Sequence, residues 1–387
     1  MVTALNRKGF IGLISLVLLL LILYLLPLPC DAQVPDAIRV AIAQDAVSLK
    51  VEISGPFEVV DAKSNKRISS GRDLNTTVVA YHNGILLGDI RSDTERLLMK
   101  TEGAGVISVN GRRFRQGIEC IRKSNGRLLV INTVELDDYI KGILYHEASH
   151  YWPDEALKAQ AIVCRTYAAY QVQENAAKEY DVTSDTYSQV YGGRTSERYR
   201  TSRVVEATKG LVISFQDKLI PAYYHATCGG HTEDASLLWK IDCVPLRGVV
   251  CGFCKESPHF SWHAVLSLRE ISKKLEGAGI VSGAIQDISP AGRSGSGRIV
   301  GLTVRTSKKD VTVSAKDFRN SIGPAVIRST NFTVTIAGTD AVFEGLGWGH
   351  GVGMCQWGAY FMAKEGRTYE EIVKYYYPGC SIISIAK

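Results

Sequence analysis

The chain has 387 residues, is 45% hydrophobic and 22% charged, and carries a formal net charge of +6. That balance is ordinary for a globular protein, and the length allows one large domain or two compact ones. No Lys/Arg block is dense enough to mark a nucleic-acid binder, whereas a mild positive field suits a polyanionic wall or an anionic membrane surface.

Residues 1–32 come first. Arg7 and Lys8 precede an uncharged apolar run of about 17 residues from Phe10 to Leu26, followed by Pro27, Pro29 and the small Ala32. This is the pattern of an export signal, either a cleaved signal peptide or a retained anchor that would tie the chain to the membrane. The protein is therefore expected in the cell envelope, outside the reducing cytoplasm.

Residues 37–133 read as a β-rich module. Ile38–Ile42, Val51–Ile53, Val106–Val109 and the apolar run Leu128–Ile131 are strand-like, with turn signals at Gly55-Pro56 and Asn110-Gly111. The period then changes. Leu136, Ile140 and Ile143 recur at helical spacing, with Thr133 as the expected N-cap. A second helix is expected from Pro153-Asp154, with Leu157, Ala161, Cys164, Ala168 and Val172 as its apolar stripe. Strands follow at Leu211–Phe215 and Ile220–Tyr224. After a Cys/His-rich stretch come a helix at Leu268–Leu275, strands at Ile299–Val304 and Val311–Val313, a Gly-rich segment from Gly345 to Gly358, and a short helix at Tyr369–Tyr376. The expected fold class is α+β: a β-rich N-terminal module, a helical segment, and more strands in the C-terminal half, with residues 134–387 as the functional core.

Glu147 lies four residues after Ile143 and eleven after Leu136, so a continuing helix carries it on the apolar face. A carboxyl held against apolar groups resists ionisation, and that is what a general acid for glycoside cleavage needs.

The run Val134-Glu-Leu-Asp-Asp-Tyr-Ile-Lys-Gly-Ile-Leu-Tyr-His-Glu147, then Trp152-Pro153, Glu155-Ala-Leu-Lys-Ala-Gln-Ala161 and Arg165-Thr-Tyr-Ala168, resembles the SpoIID/LytB family. Further matching blocks are Ser184-Asp-Thr186 with Gln189-Val-Tyr191, Ala222-Tyr-Tyr-His225 with Gly229-Gly-His-Thr232, and Gly347-Trp-Gly-His-Gly-Val-Gly-Met-Cys-Gln356 with Tyr376-Tyr-Pro-Gly379. The resemblance implies a lytic transglycosylase that cuts peptidoglycan glycan strands stripped of their peptides. Glu147 would be the acid/base, and 1,6-anhydro ends would result. No cofactor is required for that chemistry. The family also contains amidase enhancers, so the alternative is a non-catalytic protein that binds the wall and an N-acetylmuramoyl-L-alanine amidase.

Lys158 and Arg165, seven apart on one helix, are candidates to line the sugar cleft. Gln189, Tyr191 and His225 fall in the matching blocks and are candidate substrate contacts. His350 and Gln356 sit in the Gly-rich segment, where closely spaced glycines let backbone approach a ligand. Trp348 and Trp357 there offer faces for sugars to stack on.

Cys251-Gly-Phe-Cys254 is a CxxC, and Cys228 and Cys243 precede it. Three readings are open in an exported protein: a structural zinc held by the CxxC with two of Cys228, Cys243, His225 or His259, disulfides, or free thiols. The resemblance includes a zinc site with a Cys just before the Gln-Val-Tyr block; Ser188 stands there in this chain, so any zinc would be held differently.

Overall fold

A computed structural model describes residues 36–101 and 105–385. Residues 1–32, read above as an export signal or anchor, lie outside the described residues. Among the described residues no helix is long and apolar enough to cross a membrane.

The N-terminal strands are β1 (Ala37–Ala46), β2 (Ser48–Asp61), β3 (Arg67–Tyr81), β4 (Gly84–Leu87), β5 (Ile90–Ser92), β6 (Arg96–Thr101), β7 (Val106–Val109), β8 (Arg112–Phe114), β9 (Gly117–Arg122) and β10 (Leu128–Glu135). With β11 (Val182–Thr183) they form one sheet in the order β11-β1-β10-β9-β6-β2-β3-β4-β5, and β7 and β8 attach beside β2. Strand β10 is interior, with β1 and β9 on its two sides. Its Leu128, Val130 and Ile131 are at most 1% exposed, as a strand covered on both faces requires. The β-rich reading of residues 37–133 holds locally, but β11 returns from beyond two helices to pair in parallel with β1. The sheet and the rest of the chain are thereby joined across the boundary at 133/134.

Strand β10 runs straight into helix α1 (Leu136–Glu147) with no connecting loop. Leu136, Tyr139, Ile140, Ile143 and Leu144 form its buried stripe. Thr133 does not cap it. Its backbone is committed to the β ladder opposite Arg39 and Gly117, and the cap position falls to Glu135. Helix α2 (Asp154–Glu174) starts after Pro153 with Asp154 and Glu155 in its first turn, where they complement the helix dipole. Every residue from Ala159 to Thr166 is buried, so α2 is a central helix rather than a surface helix with one stripe.

Strand Leu211–Phe215 pairs antiparallel with the C-terminal strand Ser381–Ser384. The expected strand over Ile220–Tyr224 shrinks to Tyr224–His225, which pairs in parallel with Met354–Cys355. Pro221, with no N–H to give, stands outside that ladder. Strand Ser261–Ser267 pairs with Asp340–Leu346 as the stem of an inserted lobe. The lobe contains a three-stranded sheet (Ile285–Pro290, Gly301–Thr306, Asp310–Ser314) and helices Leu268–Gly277 and Ala315–Ile322. Its core includes Trp262, Leu266, Ile271, Leu302, Phe318, Phe332 and Phe343. The whole is α+β.

Candidate active site

Glu147 is the last residue of α1, and the chain leaves the helix at Ala148 in an extended conformation. The residue keeps some exposure, while its carboxyl is sunk among Tyr139, Cys164, Tyr167 and Tyr224, all of which feel its charge. Burial pushes the carboxyl up to about 7; hydrogen bonds from the Tyr224 hydroxyl and the Val190 backbone oppose that rise without cancelling it. The carboxylates nearest in sequence turn elsewhere, Asp154 to Arg200 at 2.7 Å. Asp137 pairs with Arg165 at 2.7 Å, Asp138 with Lys141 at 2.9 Å, and Glu155 with Lys158 at 2.6 Å.

The Gln-Val-Tyr block frames the acid. Val190 supplies the backbone contact. Gln189 accepts from the Tyr139 hydroxyl at 3.1 Å and donates to the Tyr224 oxygen at 3.1 Å, so it orients the hydroxyl that reaches Glu147. The Tyr191 hydroxyl donates to Asn132 Oδ1 at 2.7 Å. Gln189 and Tyr191 are 1% and 2% exposed, so the structure makes them internal supports of the site and not the substrate contacts expected from sequence.

The Gly-rich segment closes the site from the other side. Gln356 Nε2 donates to the Glu147 carbonyl at 2.9 Å and to Gln160 Oε1 at 3.3 Å, fixing the end of α1. Gly353 has φ +70°, and a Cβ there would lie 1.9 Å from the Tyr223 carbonyl oxygen; only glycine permits this approach. His350 Nδ1 accepts from the Val352 N–H, and burial with nearby Arg298 lowers its imidazole to about 3. His225 Nδ1 lies 3.1 Å from the Val352 carbonyl, and burial holds the ring well below the usual histidine range. Burial thus favours the neutral form of both imidazoles. Strand alternation sends His225 to the face opposite Tyr224, so it is Tyr224 that reaches the acid.

Two further expectations are corrected. Arg165, 0% exposed, is an internal tie: it pairs with Asp137 and donates to the Leu211 carbonyl at 3.1 Å. Its helix is buried on all sides, so sharing a face with Lys158 does not bring it to a cleft. Lys158 keeps partial exposure, but its ammonium is held by Glu155 and lies over the Tyr369 ring. Trp152, Trp357 and Tyr360 form a partly exposed aromatic cluster, with ring centroids 5.1–5.2 Å apart. Trp357 follows Gln356 and thus stands beside the clamp on Glu147. Trp348 packs edge-on against His259, with Arg328 over its face.

Cys228, Cys251, Cys254 and Cys355 are buried and bring their four sulfurs within 4.8 Å of one another. Cys243 stands apart. It caps a short 3-10 turn, Val244–Leu246, on the side of the core that holds Cys380. Sequence reasoning missed Cys355 because it lies 101 residues beyond Cys254 in a different block. Tyr224 and Tyr139 were missed as well, although Tyr224 adjoins His225 in a block already singled out.

Glu147 at the end of α1 is thus held by two segments distant from it in the chain, around Val190 and around Gln356. The family model for stage II sporulation protein, SpoIID, matches residues 124–215, which contain α1, α2 and the Gln-Val-Tyr block. A second model, a domain of unknown function, matches residues 247–353. An uncharacterised protein of Brachyspira hyodysenteriae is 32% identical over 349 residues, covering 89% of this chain and 92% of that protein. Stage II sporulation protein D of Bacillus subtilis is 30% identical over 310 residues, 73% of this chain and 88% of the relative. The amidase enhancer of the same organism is 28% identical over 293 residues, 63% of this chain and 40% of the relative. The chain belongs to the SpoIID/LytB family.

Proposed function

We propose that this protein is an exported lytic transglycosylase that cleaves peptide-free glycan strands between N-acetylmuramic acid and N-acetylglucosamine. The observation that carries this reading is Glu147, a carboxyl raised to about 7 at a helix end with no neighbouring carboxylate turned toward it. Hydrolases of the two-carboxylate type need a second such group to activate water or to form a covalent intermediate. One acid suffices when the substrate supplies its own nucleophile. Protonated Glu147 donates its proton to the glycosidic oxygen, the C1–O bond breaks, and positive charge develops at C1. The resulting carboxylate takes the proton of the C6 hydroxyl, whose oxygen bonds to C1 and closes the 1,6-anhydro ring. Glu147 ends protonated, ready for the next cut.

The polar frame around the acid serves orientation. Tyr224, held by Gln189, hydrogen-bonds the carboxylate form, and Gln356 fixes the backbone that carries it. Trp152, Trp357 and Tyr360 offer apolar faces on which pyranose rings can stack. Wall remodelling during sporulation or growth is the corresponding role, with the N-terminal segment directing export.

The test incubates the chain from Gln33 onward, wild type and Glu147→Gln, with purified glycan strands lacking peptides, and reads products by mass spectrometry. Anhydro-ended fragments from the wild type alone are expected. Intact strands from both proteins, with folding confirmed by circular dichroism, would overturn the reading and favour a wall-binding amidase enhancer.

A further inference from the structure

We propose that Cys228, Cys251, Cys254 and Cys355 hold one tetrahedral zinc ion, which fastens the segment bearing Gln356 to the loop that carries the CxxC. The proposal concerns metal binding and stands apart from the reaction at Glu147.

The geometry comes first. The four sulfurs lie within 4.8 Å of one another, and Cys228 and Cys254 are 3.4 Å apart. Four thiolates around zinc, each bonded at about 2.3 Å, sit about 3.8 Å from one another, which is the span of this cluster. All eight cysteines among the described residues are free. The four come from three separate parts of the chain. Cys228 follows the strand Tyr224–His225. Cys251 and Cys254 flank the start of a 3-10 helix, Phe253–Glu256. Cys355 caps the helix Gln356–Lys364.

The surroundings suit thiolates. The Gly230 N–H points at Cys228 Sγ at 3.4 Å, and the Cys228 and Gly358 N–H groups point at Cys355 Sγ, each at 3.3 Å. The Tyr376 hydroxyl lies 3.2 Å from Cys251 Sγ. Such outer hydrogen bonds orient and stabilise metal-bound sulfur. Cys355 also sits at a helix N-terminus, where the dipole favours negative charge. Space around the cluster is filled: a Cβ on Gly358 would come 3.1 Å from Cys251 Sγ and 1.9 Å from the Tyr376 oxygen.

Charge balance is the second, independent observation. Arg298 is 1% exposed and donates through Nη2 to the Cys228 carbonyl at 2.7 Å. Its Nε has no hydrogen-bond partner, and the Glu233 carboxylate acts on it only from beyond ion-pair distance. A buried guanidinium whose carboxylate stands that far off is costly. Zinc with four thiolates carries a net charge of −2 and would supply that counter-charge beside it. Gly351, with φ +92°, leaves the room Arg298 needs; a Cβ there would lie 2.5 Å from its Nε.

The consequence reaches the acid. Cys355 precedes Gln356, which bonds the Glu147 carbonyl. The ion would therefore hold the clamp on α1 in place.

The experiment uses the full chain, purified in detergent without chelators. Elemental analysis is expected to give one zinc per chain, and cobalt(II) exchanged into the site is expected to show thiolate charge-transfer and tetrahedral d–d absorption. Cys355→Ser should lose most of the zinc, whereas Cys243→Ser and Glu147→Gln should keep it in full. Should Cys355→Ser fail to fold, the wild type decides: stepwise thiol modification should release zinc only as these four cysteines react, as mapped by peptide mass spectrometry. A wild type without metal, one holding iron instead, or disulfides among these four under non-reducing digestion would overturn the proposal.

Discussion

At the level of single residues, the protonation of Glu147 links stability and chemistry. Its carboxyl ionises at about 7 in the folded protein against 4.5 for the unfolded group. Between those values the folded chain holds a proton that the unfolded chain has released. The stability this contributes is fully present below 4.5 and is lost as pH rises through about 7, a difference of about 3 kcal/mol. Glu147→Gln is neutral at every pH and escapes that loss. Urea denaturation should therefore find the variant more stable than wild type at about pH 8 and close to it at about pH 4; an equal gap at both would mean the carboxyl is not raised. On the proposed mechanism the same ionisation governs catalysis. kcat/KM on glycan strands should fall about tenfold per pH unit above about 7, because the acid form must donate. The position of Glu147 was legible in the sequence, since helical spacing puts it with Ile143 and Leu136 on a buried face. Its partners were not. Tyr224 and Val190 come from far along the chain, and nothing local says that Tyr224 and not His225 faces the acid until strand Tyr224–His225 is paired with Met354–Cys355.

At the level of elements, α1 is aimed by what lies at both its ends and along its side. It leaves β10 without a loop, Gln356 binds its last carbonyl, and Gly142 lets Tyr191 lie against its middle. Glycine inside a helix costs about 1 kcal/mol relative to alanine, so Gly142→Ala would ordinarily stabilise. Here the added Cβ would meet Tyr191 Cε2 at 2.5 Å and the Gly193 carbonyl oxygen at 3.3 Å. Tyr191 cannot swing aside without breaking its hydrogen bond to Asn132. Gly142→Ala should thus destabilise by about 1–3 kcal/mol, as overpacking does, and chemical denaturation will show the sign. Helices α1 and α2 could be read from periodicity because their apolar residues repeat every three or four positions. The Arg165 assignment failed for a reason that periodicity cannot register. A helix buried on every side has no solvent face, and a charged residue on it must find an internal partner, here Asp137.

At the level of the whole molecule, the lobe from Phe260 to Gly347 is built as an insertion. Its incoming and outgoing strands pair from Ser261 opposite Leu346 to Ser267 opposite Asp340, and Gly347 N donates to the Phe260 carbonyl at 2.7 Å. The two ends are thus adjacent, which keeps the entropy of closing the lobe out of the surrounding fold. None of this pairing was visible in the sequence, where a helix at Leu268–Leu275 and strands near 301 and 311 were legible but their stem was not; the partners lie 73 to 85 residues apart along the chain. The lobe also has its own core, in which Trp262, Phe318, Phe332 and Phe343 pack ring against ring at 5.5–6.5 Å. Among the described residues, the side chains that reach out of it to the parent fold are polar or charged: Arg298 to the Cys228 and Gly349 carbonyls, Arg328 to the face of Trp348, and Ser294 and Ser296 to the Glu233 carboxylate at 2.7 and 3.0 Å. These are polar groups that water can satisfy when the parent is removed. A fragment of residues 260–347 should therefore fold alone, with a stability of a few kcal/mol for so small a core (about 3–5). Dispersed methyl resonances and a single cooperative thermal transition are the expected result. A fragment that melts without cooperativity would mean that the contacts through Arg298 and Glu233, and not the aromatic core, hold the lobe together.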